Sequence, residues 1–182
     1  MEKTVEEIDF DQSVSPYLDL IDLLSPMLDV PRHLNRPVSG VTINSQAIKP
    51  GYVFFAIPGY GAFDGRDYIQ DAVISGAAAV VSEIAVNDQV KTSLMMPPGQ
   101  KKHVIPHIQI PNLRKSLGKV AAIYCGNPTR QMQTVGVTGT NGKTTVTVLL
   151  NTALTRLNTK SGFIGTHGVG SDLNNLKKTQ MK

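Results

Sequence analysis

The stretch GVTGTNGKTT, residues 136–145, gathers the residue types that grip a phosphate. A phosphate loop needs main-chain N–H groups turned inward, a lysine for phosphate oxygens and a hydroxyl for Mg2+. Gly139 and Gly142 let the backbone turn without a Cβ clash. In such a loop Lys143 meets the β- and γ-phosphates and is the candidate catalytic residue, while Thr144 ligates the metal. Residues 134–137 read as the strand before the loop. Val146, Leu149 and Leu150 read as the apolar positions of the helix after it, whose N-terminus adds its dipole. The usual G-x-x-x-x-G-K-[ST] spacing places a glycine at 137, where this chain has Val137; glycines stand at 136 and 139 instead. A Gly/Thr-rich turn between two elements is the bland alternative. Agreement of strand, Gly-Lys-Thr-Thr and helix favours the phosphate loop.

Other chemistry-bearing residues point less clearly. Cys125, in VAAIYCG, is the one cysteine, which excludes an internal disulfide and reads as a packed core thiol. His103 and His107 are four apart, but Pro106 and a strand-like pattern deny them helical ligand geometry, so they read as strand-surface residues. His33 and His167 have no recognisable partners. The net charge of +4 is uneven: five carboxylates crowd the first eleven residues, and none lies between Asp88 and Asp172. That interval holds ten Lys and Arg residues, among them Lys101, Lys102, Arg114, Lys115 and Lys143. They could focus a polyanionic ligand, but most read as a solvated basic face. No nucleic-acid reading motif accompanies them, so no nucleic-acid partner is expected. No apolar run approaches the roughly 20 residues that span a bilayer, and the acidic start MEKTVEEIDFDQ lacks a signal segment. A cytoplasmic protein without a membrane partner is expected.

The elements that must position these residues alternate between strand and helix. Residues 1–16 read as an acidic tail. Leu18, Ile21, Leu24 and Leu28 have helical spacing, with Pro26 ending or kinking the helix. VSGVTINSQ predicts a short strand entering a turn. A Pro50-Gly51 turn, a strand over 53–57 and a glycine-rich loop follow. RDYIQDAVISGA predicts a helix with Tyr68, Ile69, Ala72 and Val73 inward, stopped by Gly76; AAAVVSE predicts a buried strand. Residues 85–102 read as polar and irregular around Pro97-Pro98-Gly99. VIPHIQI predicts another strand, and Pro111 is expected to open a helix through Leu113, Leu117, Val120 and Ile123 to Gly126. GNPTRQ suits a linker; strand TVGVTG, the loop, a helix over 143–156 and strand SGFIGT come after it. The pattern indicates an α/β fold. It divides into a 17–126 domain, a 127–132 linker and a 133–182 segment.

GVTGTNGKTT resembles the nucleotide loop of the Mur ligases, which build the peptide stem of bacterial peptidoglycan. VTINSQAIKPGYVFFAIPGYGAFDGRDYIQDAVISGAAAVVSE is similar to the amino-terminal UDP-binding domain of the family's third-residue ligases. The matching features are the Ser45 turn, Pro50-Gly51, Asp64-Gly65-Arg66 and Gly76-Ala77-Ala78. The resemblance covers about residues 18–170. It implies a small UDP-binding α/β domain, then the first strand, P-loop, helix and strand of an ATPase domain. It further implies ATP-dependent addition of a diamino acid to UDP-MurNAc-L-Ala-D-Glu through an acyl phosphate, with ATP and Mg2+ required. By the same resemblance Ile43 and Ser45 contact the UDP portion, Tyr60, Gly61 and Ala62 form the neighbouring loop, and Gly139, Thr140, Asn141, Gly142, Lys143, Thr144 and Thr145 hold the ATP phosphates.

The chain departs from the family pattern in places. The family turn reads Asp-Ser-Arg, whereas Asn44-Ser45-Gln46 carries no charge, and His167 stands where an apolar or small residue is expected. After Lys143 the one acidic residue is Asp172, so a second carboxylate for magnesium is not in sight. The family's Thr-Thr segment, carbamylated lysine and amino-acid-binding domain have no counterpart. The expectation is a truncated ligase, inactive alone, with the apolar faces of 146–154 and 163–164 open. The alternatives are a non-catalytic fragment that binds a UDP-linked precursor, or a P-loop subunit completed by a partner.

Overall fold

The computed structural model describes residues 18–59, 64–99, 104–166 and 168–171. The chain divides between Met132 and Gln133 into two compact units.

In the first unit, β1 (Gly40–Thr42), β2 (Tyr52–Ala56), β3 (Ala79–Ile84) and β5 (Ile105–Pro111) run parallel, and β4 (Lys91–Met95) lies antiparallel on β5. The sheet order is β1-β2-β3-β5-β4. Val53, Phe54, Phe55 and Ala56 in β2, and Ala79, Val80 and Val81 in β3, are buried without alternation. That is what a parallel strand covered on both faces requires. Val53, Phe55, Val81, Ile108 and Ile110 face α1 (Leu20–Leu24) and α3 (Leu113–Tyr124). Phe54, Ala56, Val80 and Ile105 face Ala72 and Val73 of α2 (Ile69–Ile74). The sheet is thus a middle layer between helices.

Several expectations are corrected. α1 stops two residues before Pro26, and it buries Leu20, Leu23 and Leu24 fully; Ile21 and Leu28 pack only partly. Tyr68 belongs to a 3-10 turn, Gly65–Tyr68, and is 37% exposed because α2 begins after it. Residues 91–95 form an edge strand rather than irregular chain. Pro111 ends β5, and Asn112 alone, at φ 55, makes the turn into α3. Cys125 is half-buried, short of a packed core position. His107 is half-buried too, its Nε2 2.8 Å from Ser82 Oγ on the neighbouring strand. The polar tail 1–16, Lys101, Lys102, His103, His167 and Asp172 lie outside the described residues.

In the second unit, α4 (Lys143–Arg156) is followed by a hairpin of β6 (Phe163–Gly165) and β7 (Gly168–Gly170). The strand expected at 134–137 has no regular secondary structure and joins no ladder among the described residues. A strand is defined by its neighbour's hydrogen bonds, and none flanks this segment there. Asn151, buried in α4, fastens the helix to the hairpin side. Its Nδ2 donates to Ser171 O at 2.8 Å, and its Oδ1 accepts from Ser161 Oγ at 2.9 Å. Phe163 is buried, against expectation, whereas Val146, Leu149, Leu150 and Ile164 are exposed as expected.

No helix among the described residues is long and apolar enough to cross a membrane.

Candidate functional site

The loop of residues 136–142, the candidate nucleotide cradle, leads directly into α4. Gly139 at φ 146 and Gly142 at φ 76 occupy backbone regions that disfavour side chains. A Cβ at Gly142 would meet nothing within 4 Å, so its backbone conformation, not crowding, calls for glycine. Gly142 is the N-cap of α4 and no side chain caps it. The helix's first N–H groups, those of Lys143, Thr144 and Thr145, precede the first intrahelical bond, Val146 N–H to Gly142 O at 2.9 Å. Lys143 Nζ curls back to donate to Gly139 O at 2.5 Å and Thr140 O at 3.3 Å. A lysine charge, two left-handed glycines and helix-start donors without a partner among the described residues therefore share one exposed loop. Thr144, half-buried, follows at the second helical position, and Thr145, Thr140 and Asn141 are exposed. This donor set fits a polyphosphate, with Thr144 Oγ1 available to a hard cation.

Of the other candidate residues, exposed Ile43 and half-buried Ser45 lie beyond the carboxyl end of β1. Because β1 and β2 are parallel neighbours, the chain leaving β2 exits at the same edge. Tyr60, Gly61 and Ala62 lie outside the described residues, which resume at Asp64. The Ser45 turn is built by Asn44: its Oδ1 accepts from Gln46 N–H at 3.0 Å, and its own N–H donates to Thr42 Oγ1 at 2.9 Å. A neutral amide oxygen caps this turn as a carboxylate would, so the lost charge leaves the backbone geometry served.

Sequence reasoning singled out Asp64-Gly65-Arg66 as a family feature but missed the charged cluster it forms at this edge. Pro58 and Asp64 form an antiparallel bridge, and Gly65 N–H donates to Ile57 O at 3.0 Å. A Cβ on Gly65 would sit 2.7 Å from that same oxygen. Asp64 accepts from Arg66 N–H at 2.9 Å and pairs with the Arg66 guanidinium at 2.5 Å. Arg66 holds the Asp64 carboxyl below its ordinary range, and Asp64 in turn raises Arg66. Arg114, two residues into α3's start, donates through Nη2 to Pro58 O, and its N–H lies 3.4 Å from Glu83 Oε1. The sequence displayed Arg114 only as one cation of a basic stretch. Burial lowers the His107 imidazole below its usual value. Among the described residues no group of three or more His, Cys, Asp or Glu could hold a metal.

Known proteins place this architecture. The model of the Mur ligase family, catalytic domain, matches residues 37–124, all within the first unit. The chain is 38% identical over 152 residues to the UDP-N-acetylmuramoyl-L-alanyl-D-glutamate--2,6-diaminopimelate ligase of Alkalilimnicola ehrlichii, covering 81% of this chain and 29% of that protein. It is 41% identical over 129 residues to the ligase of the same name from Aquifex aeolicus, covering 71% and 23%. It thus spans less than a third of the length of these relatives. A solved structure of a UDP-N-acetylmuramoyl-L-alanyl-D-glutamate--2,6-diaminopimelate ligase superposes with a TM-score of 0.60 at 22% identity, over 90% of this chain and 31% of that one, a likeness of fold. The match of residues 37–124 and the identity that runs along most of the chain agree: the chain carries a domain of the Mur ligase family.

Proposed function

We propose that the chain carries the precursor-binding unit and the start of the nucleotide-binding unit of an ATP-dependent ligase. That ligase adds a diamino acid to UDP-MurNAc-L-Ala-D-Glu through an acyl phosphate. The observation that carries the reading is the Gly142-Lys143-Thr144 loop at an uncapped helix start, in a chain whose relatives are named diaminopimelate ligases. Lys143 and the N–H groups of the α4 start would hold ATP phosphates, with Gly139, Thr140, Asn141, Gly142 and Thr145 shaping the cradle. Thr144 Oγ1 would take Mg2+, which neutralises phosphate charge when bound. Ile43 and Ser45 would meet the UDP portion together with Tyr60, Gly61 and Ala62. The working division is 17–126 for precursor binding, 127–132 as linker and 133–182 for the nucleotide, in a cytoplasmic protein.

Because the chain spans under a third of its relatives' length, two binding tasks are assigned to it rather than turnover. The self-contained core of the first unit also favours a second reading, in which the chain binds a UDP-linked precursor without catalysis. Titration calorimetry on the 182-residue chain separates the two. Binding of both UDP-MurNAc-L-Ala-D-Glu and ATP with Mg2+ supports the first reading. Precursor binding alone supports the second, and binding of neither removes both.

A further inference from the structure

We propose that Arg114 is a positioning residue for the precursor site, tying the end of β2 to the start of α3. The inference rests on the reading of the β1 and β2 ends as that site. Three constraints meet at the two ends of the loop that follows β2. Pro58 and Asp64 bridge, Gly65 donates to Ile57 O, and the Arg114 guanidinium donates to Pro58 O from 56 residues further along the chain. The first two are local and close the loop upon itself. Arg114 alone among these links that closure to a different layer of the fold.

Its placement follows from the turn that delivers it. Asn112, left-handed at φ 55, is the single residue between β5 and α3, so Arg114 stands in the helix's first turn directly beyond the sheet edge. Its main-chain N–H approaches Glu83 at the end of β3, which places the side chain's origin beside the sheet rather than in solvent. A planar guanidinium reaching a main-chain carbonyl sets direction as well as distance, whereas an ammonium offers a point charge on a looser stem. The β2 exit is therefore held relative to α3. A ligand contacting both Ser45 and the chain beyond β2 would meet a fixed spacing without having to order it.

Arg114→Met keeps the aliphatic stem and removes the donors, which limits the risk of unfolding; Arg114→Lys returns one donor. The first readout needs no ligand: amide exchange of Gly65, whose N–H is bonded to Ile57 O. Arg114→Met should speed Gly65 exchange while the Val80 and Ile108 amides keep their protection, and Arg114→Lys should recover part of it. The second readout is affinity for UDP-MurNAc-L-Ala-D-Glu, expected to weaken roughly tenfold in Arg114→Met and less in Arg114→Lys, as loss of one charge-assisted bond implies. Unchanged Gly65 exchange would overturn the tether. Faster exchange with undiminished affinity would overturn its role at the site. If the unsubstituted chain fails to bind the precursor, the functional reading falls, and the Gly65 exchange still decides whether Arg114 holds the β2 exit.

Discussion

Lys143 Nζ rests on the carbonyls of Gly139 and Thr140, so the loop already holds a cation where phosphate oxygens would arrive. Lys143→Ala should weaken ATP affinity by at least about tenfold, the scale of one charge-assisted contact. The first unit's urea midpoint should not move, and unchanged ATP binding would falsify the phosphate-loop assignment. Ser45 makes a different case, because the turn around it is closed by Asn44 and Thr42. Ser45→Ala should therefore weaken precursor binding while leaving the melting temperature in place. If it unfolds the domain, the hydroxyl was a turn-former. His107 is a residue whose effect depends on pH. Burial favours its neutral ring, so the folded state takes up the proton at lower pH than the unfolded state, which does so near about 6.5. Between those two values the unfolded chain binds more protons, and stability falls as pH drops through that window. Urea midpoints at pH 7.5 and 5.5 should differ less for His107→Gln than for the unsubstituted chain. Equal differences would mean that other groups set the acid response.

Arg36 shows how single side chains join elements that the sequence shows only separately. Its Nε donates to Leu34 O at 3.2 Å, and Nη1 donates to Ala78 O at 3.1 Å and to Val104 O at 2.8 Å. The segment before β1 is thereby fastened to the residues that precede β3 and β5. Arg36→Met would leave those carbonyls without their donor and should cost about 2 kcal/mol, read as a shift in urea unfolding. A loss below roughly 0.5 kcal/mol, the level of an ordinary surface change, would show that water replaces the guanidinium freely. The strands β2, β3 and β5 were legible because apolar runs flanked by Gly and Pro carry their signal locally. α4 was legible because a glycine start and apolar spacing agree. β4 was not: Lys91–Met95 is almost wholly exposed, and only its register against β5 makes it a strand. The segment 134–137 failed in the opposite way, having strand-like composition but no ladder among the described residues. The candidate phosphate loop stood out in the sequence because its parts are contiguous. The Arg114 cluster could not, since Glu83 and Pro58 lie 31 and 56 residues away and only the fold unites them.

The two units differ in how much apolar surface they bury. In the first, sheet and helices enclose two apolar clusters. In the second, the described residues bury Asn151, Phe163 and Gly168, while Val146 is 51% exposed, Leu149 63% and Ile164 74%. Local opening is cheapest where few apolar contacts oppose it. Helix propensity alone makes a 14-residue helix marginal in water, so α4 depends on its Asn151 latch and on its contact with β6. Amide exchange on the 182-residue chain should therefore find α4 far less protected than β3 and β5. Adding ATP with Mg2+ should slow exchange first at Thr144 and Thr145, because a bound phosphate would accept from the N–H groups that no side chain caps. Protection spreading from that end toward Arg156 would mean that nucleotide binding consolidates the helix. If α4 is already as protected as β3 without nucleotide, the second unit possesses a core of its own, and its open apolar face is no measure of its stability. If exchange slows evenly along α4 or not at all, the anion does not bind at the helix start, and the nucleotide reading of Gly142-Lys143-Thr144 must be given up.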